Sequence, residues 1–234
     1  TGIAVTDSTL ILTIDQDQKR LVRLAGNPLA QDISLPIPAA STAPRYLPDG
    51  SIIIGSYNGQ LSRYDTSGMQ TWTLDCKGPI IAPPSIAESV LYVSAGKSVS
   101  ARRISNGEQV WSHRASGAVM AAPAIDDRAY FGSTDSLVYA VNLRTGALEW
   151  FFSARGQIVA SPAVGGTRVF VPANDKRIYA LDKQTGDTAW TYQAGAPLNQ
   201  EMTLAGDLLV VGTLEGKLLL INAQDGKLVR EFAL

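Results

Sequence analysis

A glycine returns about every forty residues in this chain, and a tryptophan follows most copies of it by four. Gly68, Gly107, Gly146, Gly186 and Gly226 are separated by 39, 39, 40 and 40 residues. Trp72, Trp111, Trp150 and Trp190 each stand four positions after one of the first four glycines. A period of this length means one supersecondary unit copied along the chain. Such a unit cannot bury its apolar face alone and must stack on its neighbours. The most regular residues are therefore expected to be scaffold.

Each copy begins with an apolar or aromatic run, such as Val90–Val93 or Leu208–Val211. A polar turn follows, for example Asn174-Asp175 or Glu215-Gly216, and then a second apolar run, as in Ile178–Leu181. The glycine turn comes next, and a third run carries the tryptophan. Short β-branched and aromatic runs bounded by Gly, Asn and Asp read as antiparallel hairpins. No ten-residue stretch has capped helical periodicity. A fourth strand precedes each unit, after Pro44, Pro84, Pro123 and Pro162, with Met202 in the last copy. It is rich in small residues, which suits a strand crowded near an axis.

The reading is all-β: a six-bladed β-propeller of four-stranded antiparallel blades, about 39–40 residues each, in one domain over residues 1–234. The first hairpin strands start near Leu10, Ile52, Leu91, Ala129, Val169 and Leu208. The first copy is degenerate, with no Trp, and it exits through an irregular Pro-rich stretch, Ser34–Pro44. The last copy places Arg230 where Trp is expected and Asn222 where Asp182 stands, so the seam between last and first copies is expected to be weakest.

In the turn, Asp182 can accept backbone N–H bonds, and Gly186 supplies a conformation unfavourable to a residue with a Cβ. The four tryptophans are read as inter-blade docking residues, with Gly68, Gly107, Gly146 and Gly186 at the turns. A buried indole removes large apolar area while its N–H still finds an acceptor.

Composition excludes some classes. The net charge of −1 is unlike a phosphate-binding surface, so no nucleic acid is expected. No apolar run approaches the ~18 residues of a membrane span. No signal-peptide or targeting pattern is read, and because Thr1 falls inside an expected strand, a preceding segment is expected. Cys76 is the only cysteine and reads as a small residue near a turn. His113, the only histidine, reads as a solvated strand residue. Asp15 and Asp17 have the opening spacing of a calcium loop, but the later oxygen ligands are missing, so they read as a hairpin turn. Asp126-Asp127 also reads as a turn. Nucleophile-elbow, zinc-protease, dinucleotide and P-loop motifs are all missing. No catalytic residue, cofactor site or metal site is assigned.

Ala180, Asp182, Thr185, Gly186 and Trp190 spell Ala-x-Asp-x-x-Thr-Gly-x-x-x-Trp. Ala140, Asn142, Thr145, Gly146 and Trp150 repeat it with one substitution. Ala101, Asn106, Gly107 and Trp111 follow more loosely, with Arg103 in the Asp position, and Gly68 and Trp72 match after a one-residue slip. These lines resemble the PQQ-like repeat of quinoprotein-type β-propellers, over roughly residues 42 to 234. One branch of that family holds quinone-dependent dehydrogenases, longer and usually eight-bladed, with quinone and Ca²⁺ over the channel and an adjacent Cys pair. The single Cys here does not fit them. The other branch is non-catalytic and includes the propeller lipoprotein of the outer-membrane β-barrel assembly machinery, whose usual ring has eight blades and which contacts its barrel partner through loops on one face. The resemblance implies a periplasmic or outer-membrane-associated protein.

Segments joining one copy's Trp strand to the next copy's first strand all fall at one end of such a ring. Ile80, Ile81, Val119, Met120, Ile158 and Val159 hold matching places there and are expected to enter the inner strand. Arg155, Gln157, Asn199, Gln200 and Glu201, with Arg45 after Pro44, break the apolar habit. They are the candidate partner-binding residues, because function sits on loops held by rigid sheets. The expected function is a non-catalytic scaffold, not an enzyme, that binds a protein partner through one face. A small-ligand sensor and a PQQ-dependent dehydrogenase relative are the alternatives.

Overall fold

The structure, a computed structural model, describes residues 3–7, 10–15, 20–25, 30–36 and 42–233. Among these no helix occurs. Strands β1 (Ile3–Asp7), β2 (Leu10–Asp15), β3 (Arg20–Ala25) and β4 (Ala30–Pro36) pair antiparallel in chain order. The remaining twenty strands form five four-stranded antiparallel sheets, also in chain order. The first holds β5 (Arg45–Tyr46), β6 (Ile52–Gly55), β7 (Gln60–Tyr64) and β8 (Gln70–Asp75). The second holds β9 (Ser85–Ala87), β10 (Val90–Ala95), β11 (Ser98–Arg103) and β12 (Gln109–Arg114). The third holds β13 (Ala124–Ile125), β14 (Arg128–Gly132), β15 (Leu137–Asn142) and β16 (Leu148–Ser153). The fourth holds β17 (Ala163–Gly165), β18 (Arg168–Ala173), β19 (Arg177–Asp182) and β20 (Thr188–Gln193). The fifth holds β21 (Met202–Ala205), β22 (Leu208–Gly212), β23 (Lys217–Asn222) and β24 (Leu228–Ala233).

The first strands of neighbouring sheets meet, β9 with β13, β13 with β17 and β17 with β21, while the Trp strands lie outermost. Sheets that converge on their first strands and spread at their last are packed as propeller blades. The middle strands β10, β14 and β18 are buried along most of their length. Each is covered by a neighbouring sheet on both faces, which is why Leu91-Tyr92-Val93 and Val169-Phe170-Val171 are continuous apolar runs rather than alternating ones. The cores sit between sheets. Leu47, Ile53 and Leu61 of one sheet pack with Leu91 and Val93 of the next, and Phe170 and Ile178 pack with Leu209 and Leu219.

A β-bulge recurs where each third strand meets its Trp strand. Ala140 pairs with Trp150 but Val141 pairs with Leu148, which leaves Glu149 as the extra residue; the same step occurs at Trp72, Trp111, Trp190 and Arg230. A bulge re-aims the following side chain. The degenerate copy keeps this device. Arg23 pairs with Ile33 and Leu24 with Gln31, so Ile33 holds the Trp register there.

One expectation changes and another is met as far as the described residues reach. The Pro-rich exit is partly regular, since Ser34, Leu35 and Pro36 belong to β4; residues 37–41 lie outside the described residues. The Asp15 end of β2 pairs with Arg20 across a hairpin, whereas Asp17 lies outside the described residues.

Candidate functional site

In a four-stranded meander the second and fourth strands run the same way, so the turn after the second and the connection after the fourth share one end. Hydrogen bonds tie the two together. Ile80 N–H donates to Ser56 O (3.1 Å), Gly96 N–H to Pro79 O (3.0 Å), Val119 N–H to Gly96 O (2.8 Å), and Asn174 N–H to Gln157 O (2.9 Å). The apolar members of the connections do not enter the inner strand. Ile80, Val119, Ile158 and Leu198 stay in the loops and are buried as plugs between sheets. A Cβ on Gly132 would lie 2.0 Å from Ile158 Cγ2, so the strand glycine makes room for the plug.

Carboxylates lock these loops. Asp135, in the turn between β14 and β15, accepts Ser116 N–H (3.0 Å), Gly117 N–H (2.9 Å) and Tyr139 O–H (2.8 Å) on Oδ2, and Leu137 N–H (2.9 Å) on Oδ1. Partial burial pushes its pKa up, but the bonds from Leu137, Tyr139 and Gly117 outweigh that and hold it below the ordinary carboxylate range. Asp175 repeats the arrangement with Tyr179 and Arg177 N–H.

The sequence-derived candidates fall on this end. Arg155, Gln157, Asn199, Gln200 and Glu201 are exposed in the connections, and Ser161 Oγ lies 3.4 Å from Glu201 Oε1. Arg45 stands on β5 beside the axis. Its Nε donates to Pro84 O (3.0 Å), and it lines an open recess of about 330 Å³ with Tyr46, Ser85, Ile86 and Ile125. Ser85 repeats the gesture one sheet on, donating to Pro123 O (2.6 Å). Asn174 was missed as a candidate. Its Oδ1 is buried with no hydrogen-bond partner, beside the Gln157 loop. The sequence offered only a turn dipeptide as a signal.

The regular residues span the sheets. The indole N–H of Trp72 donates to Ile104 O (3.1 Å), Trp111 to Leu143 O (2.8 Å), Trp150 to Lys183 O (3.0 Å) and Trp190 to Ala223 O (3.1 Å). Asp182 Oδ1 accepts Gln184 N–H (2.8 Å) and Thr185 N–H (3.1 Å), and these backbone bonds lower its pKa. Gly68 has φ 87° at the same place in its own turn. His113 is half-buried rather than solvated. Its Nδ1 lies 3.2 Å from Gly146 O, with Phe131 and Tyr139 rings 5.9 and 5.6 Å away. Cys76 is half-buried near a turn, and burial pushes its thiol pKa up. Among the described residues no three His, Cys, Asp or Glu side chains gather as metal ligands do.

At the opposite end, Asp126-Asp127 is a turn, and it also carries a network that the sequence did not announce. Arg128 meets Glu149, Asp127 (2.6 Å) and Gln184 (2.9 Å), and Lys183 meets Asp126 (2.7 Å). Tyr130 O–H donates to Asp127 Oδ1 (2.7 Å).

The model of the family described as outer membrane protein assembly factor BamB matches residues 18–151 and 106–234. Among solved structures the chain is similar to BamB from Moraxella catarrhalis, with 18% identity and a TM-score of 0.82 over 98% of this chain and 74% of that one. It is also similar to the computationally designed Ika8 protein, with 15% identity and a TM-score of 0.85 over 98% and 73%. Both likenesses are of fold. No curated protein matches the sequence.

Proposed function

Because the chain belongs to the family of the outer membrane protein assembly factor BamB, we propose that it is a non-catalytic β-propeller scaffold that binds a protein partner through its loop-bearing face, in the periplasm at the outer membrane. In this reading residues 1–234 are one domain of six blades, β1–β4 being the first. The tryptophans and repeat glycines are docking residues, and Arg45, Arg155, Gln157, Asn199, Gln200 and Glu201 are contact residues.

The observation that carries the reading is the division of labour in the connections. One apolar position in each connection, Ile80, Val119, Ile158 or Leu198, is consumed as a plug between sheets, and the polar positions remain exposed on a rigid frame. Rigid loops lose little conformational freedom on binding. The buried, unpaired Asn174 Oδ1 adds an acceptor at the same end.

The test is co-purification with the β-barrel subunit of the assembly machinery from the same cell. Charge reversal at Arg155 and Glu201 is expected to reduce recovery, while Arg144→Glu, in the β15–β16 turn at the other end, leaves it unchanged. Recovery unaffected by the first pair but lost with the second would place the contact on the wrong face.

A further inference from the structure

Arg128 and Arg168 are the same residue of successive copies. Each opens the second strand of its sheet, and they pair with Asn142 and Asp182 respectively. Around Arg128 the network is complete, with Glu149 and Asp127 as acids. Around Arg168 both acids are gone. Thr167 stands where Asp127 stood, and Ala189, the bulge residue before Trp190, stands where Glu149 stood. The accompanying pair is deleted as well, Lys183 becoming Ala223 and Asp126 becoming Gly166, while Gln184 is kept as Gln224. The cation remains without those acids, and Asp182, opposite it in register, interacts with its charge but gives Nε no hydrogen bond.

The geometry records the loss. Arg168 Nε is buried with no hydrogen-bond partner. Its guanidinium borders a recess of about 100 Å³ between the fourth and fifth sheets, walled by Gly166, Thr167, Phe170, Leu204 and Gln224. A buried guanidinium N–H without an acceptor is a state that native proteins rarely leave unresolved. A carboxylate presented edge-on satisfies Nε and a terminal N–H together, which is the geometry arginine is built to recognise. Two carboxylates of the chain are near. Asp182 is held by the turn N–H groups of Gln184 and Thr185, and Asp207 is exposed on the rim.

We propose that this recess is a carboxylate-binding site, with Arg168 as the anchoring cation and Gln224 beside it. The carboxylate comes from an acidic side chain of a protein or from a free organic acid. The site lies at the end opposite the loop-bearing face, so it stands or falls independently of the scaffold reading.

The experiment follows the Arg168 Nε–H resonance of the intact chain by NMR while acetate is added at constant ionic strength, with chloride as control. A parallel titration uses a short Glu-containing peptide. The expected result is a saturable shift with acetate and none with chloride, tightened in Asp207→Asn because a competing negative charge is removed. A peptide that binds at least about tenfold tighter than acetate identifies the source as a protein, and equal affinities identify it as a free acid. Thr167→Asp restores the acid of the preceding interface; it is expected to raise the melting temperature and abolish the titration. This variant gains an interaction, so failure to fold cannot mimic the outcome. An Arg168 resonance that does not respond in wild type or in Asp207→Asn, or a Thr167→Asp protein that still titrates, overturns the site.

Discussion

The repeat glycine meets two demands at one atom. Gly146, Gly186 and Gly226 have φ of 70°, 78° and 73°, in the left-handed region. Each is also pressed by the indole of the preceding sheet. A Cβ on Gly186 would lie 2.7 Å from Trp150 Cε3, and one on Gly226 would lie 2.6 Å from Trp190 Cε3. Glycine and tryptophan in the repeat are therefore partners, but across copies rather than within one. Gly206 separates the two demands, since its φ is 61° and nothing lies within 4 Å of its would-be Cβ. Gly206→Ala is expected to destabilise by the conformational cost alone, ~1–2 kcal/mol. Gly186→Ala adds a clash with a buried ring and is expected to exceed it, and the difference in denaturant midpoint reads the indole contact directly. Trp150→Phe retains most apolar area but removes the indole donor, leaving Lys183 O only Tyr130 O–H at 3.2 Å, an expected loss of about 1 kcal/mol by the same measurement.

At the scale of elements, the hairpins are held at their loop end by acids that use the chain's own N–H groups. The Asp135 pKa is depressed in the folded state, so the stability it contributes is present above its unfolded value, about 3.9, and is lost as pH falls through the lower folded one. Asp135→Asn replaces one carboxylate acceptor with an amide NH2 that faces N–H and O–H donors, and is expected to lower the melting temperature at neutral pH. The difference from wild type should then shrink below about pH 4, where the unfolded wild-type chain begins to take up the proton. A gap that stays constant down to pH 2 would show that Asp135 carries no linkage. None of this was readable as a site. The sequence displayed Asn174-Asp175 as turn residues, but a Tyr four positions later reaching back across the hairpin is visible only once the strands are paired.

For the whole molecule, the described interfaces run in series, and among the described residues the outer strand of the fifth sheet is exposed. In four sheets the Trp and the residue two positions after it are covered by the next sheet: Trp72 and Leu74, Trp111 and His113, Trp150 and Phe152, Trp190 and Tyr192. Arg230 and Phe232 hold those positions on β24 and are exposed, with Arg230 Cζ 4.8 Å over the Phe232 ring and Phe232 37% accessible. Stability in stacked repeats is a sum over neighbour interfaces. Amide exchange is therefore expected to be fastest in β24 among the Trp-register strands and slowest in β12 and β16. Equal protection across them would refute a seam at the fifth sheet.

The forty-residue spacing of Gly and Trp settled the unit, its four strands and their order by itself, because hairpin chemistry is local and the period repeats it until chance is excluded. It also indicated which connections share an end, since that follows from strand count alone. The sequence misjudged His113 as solvated and the loop aliphatics as strand residues, and it was silent on Arg168. Those outcomes depend on what the neighbouring sheet presents across the interface, a residue some thirty or more positions away whose distance and angle are fixed only when the blades pack.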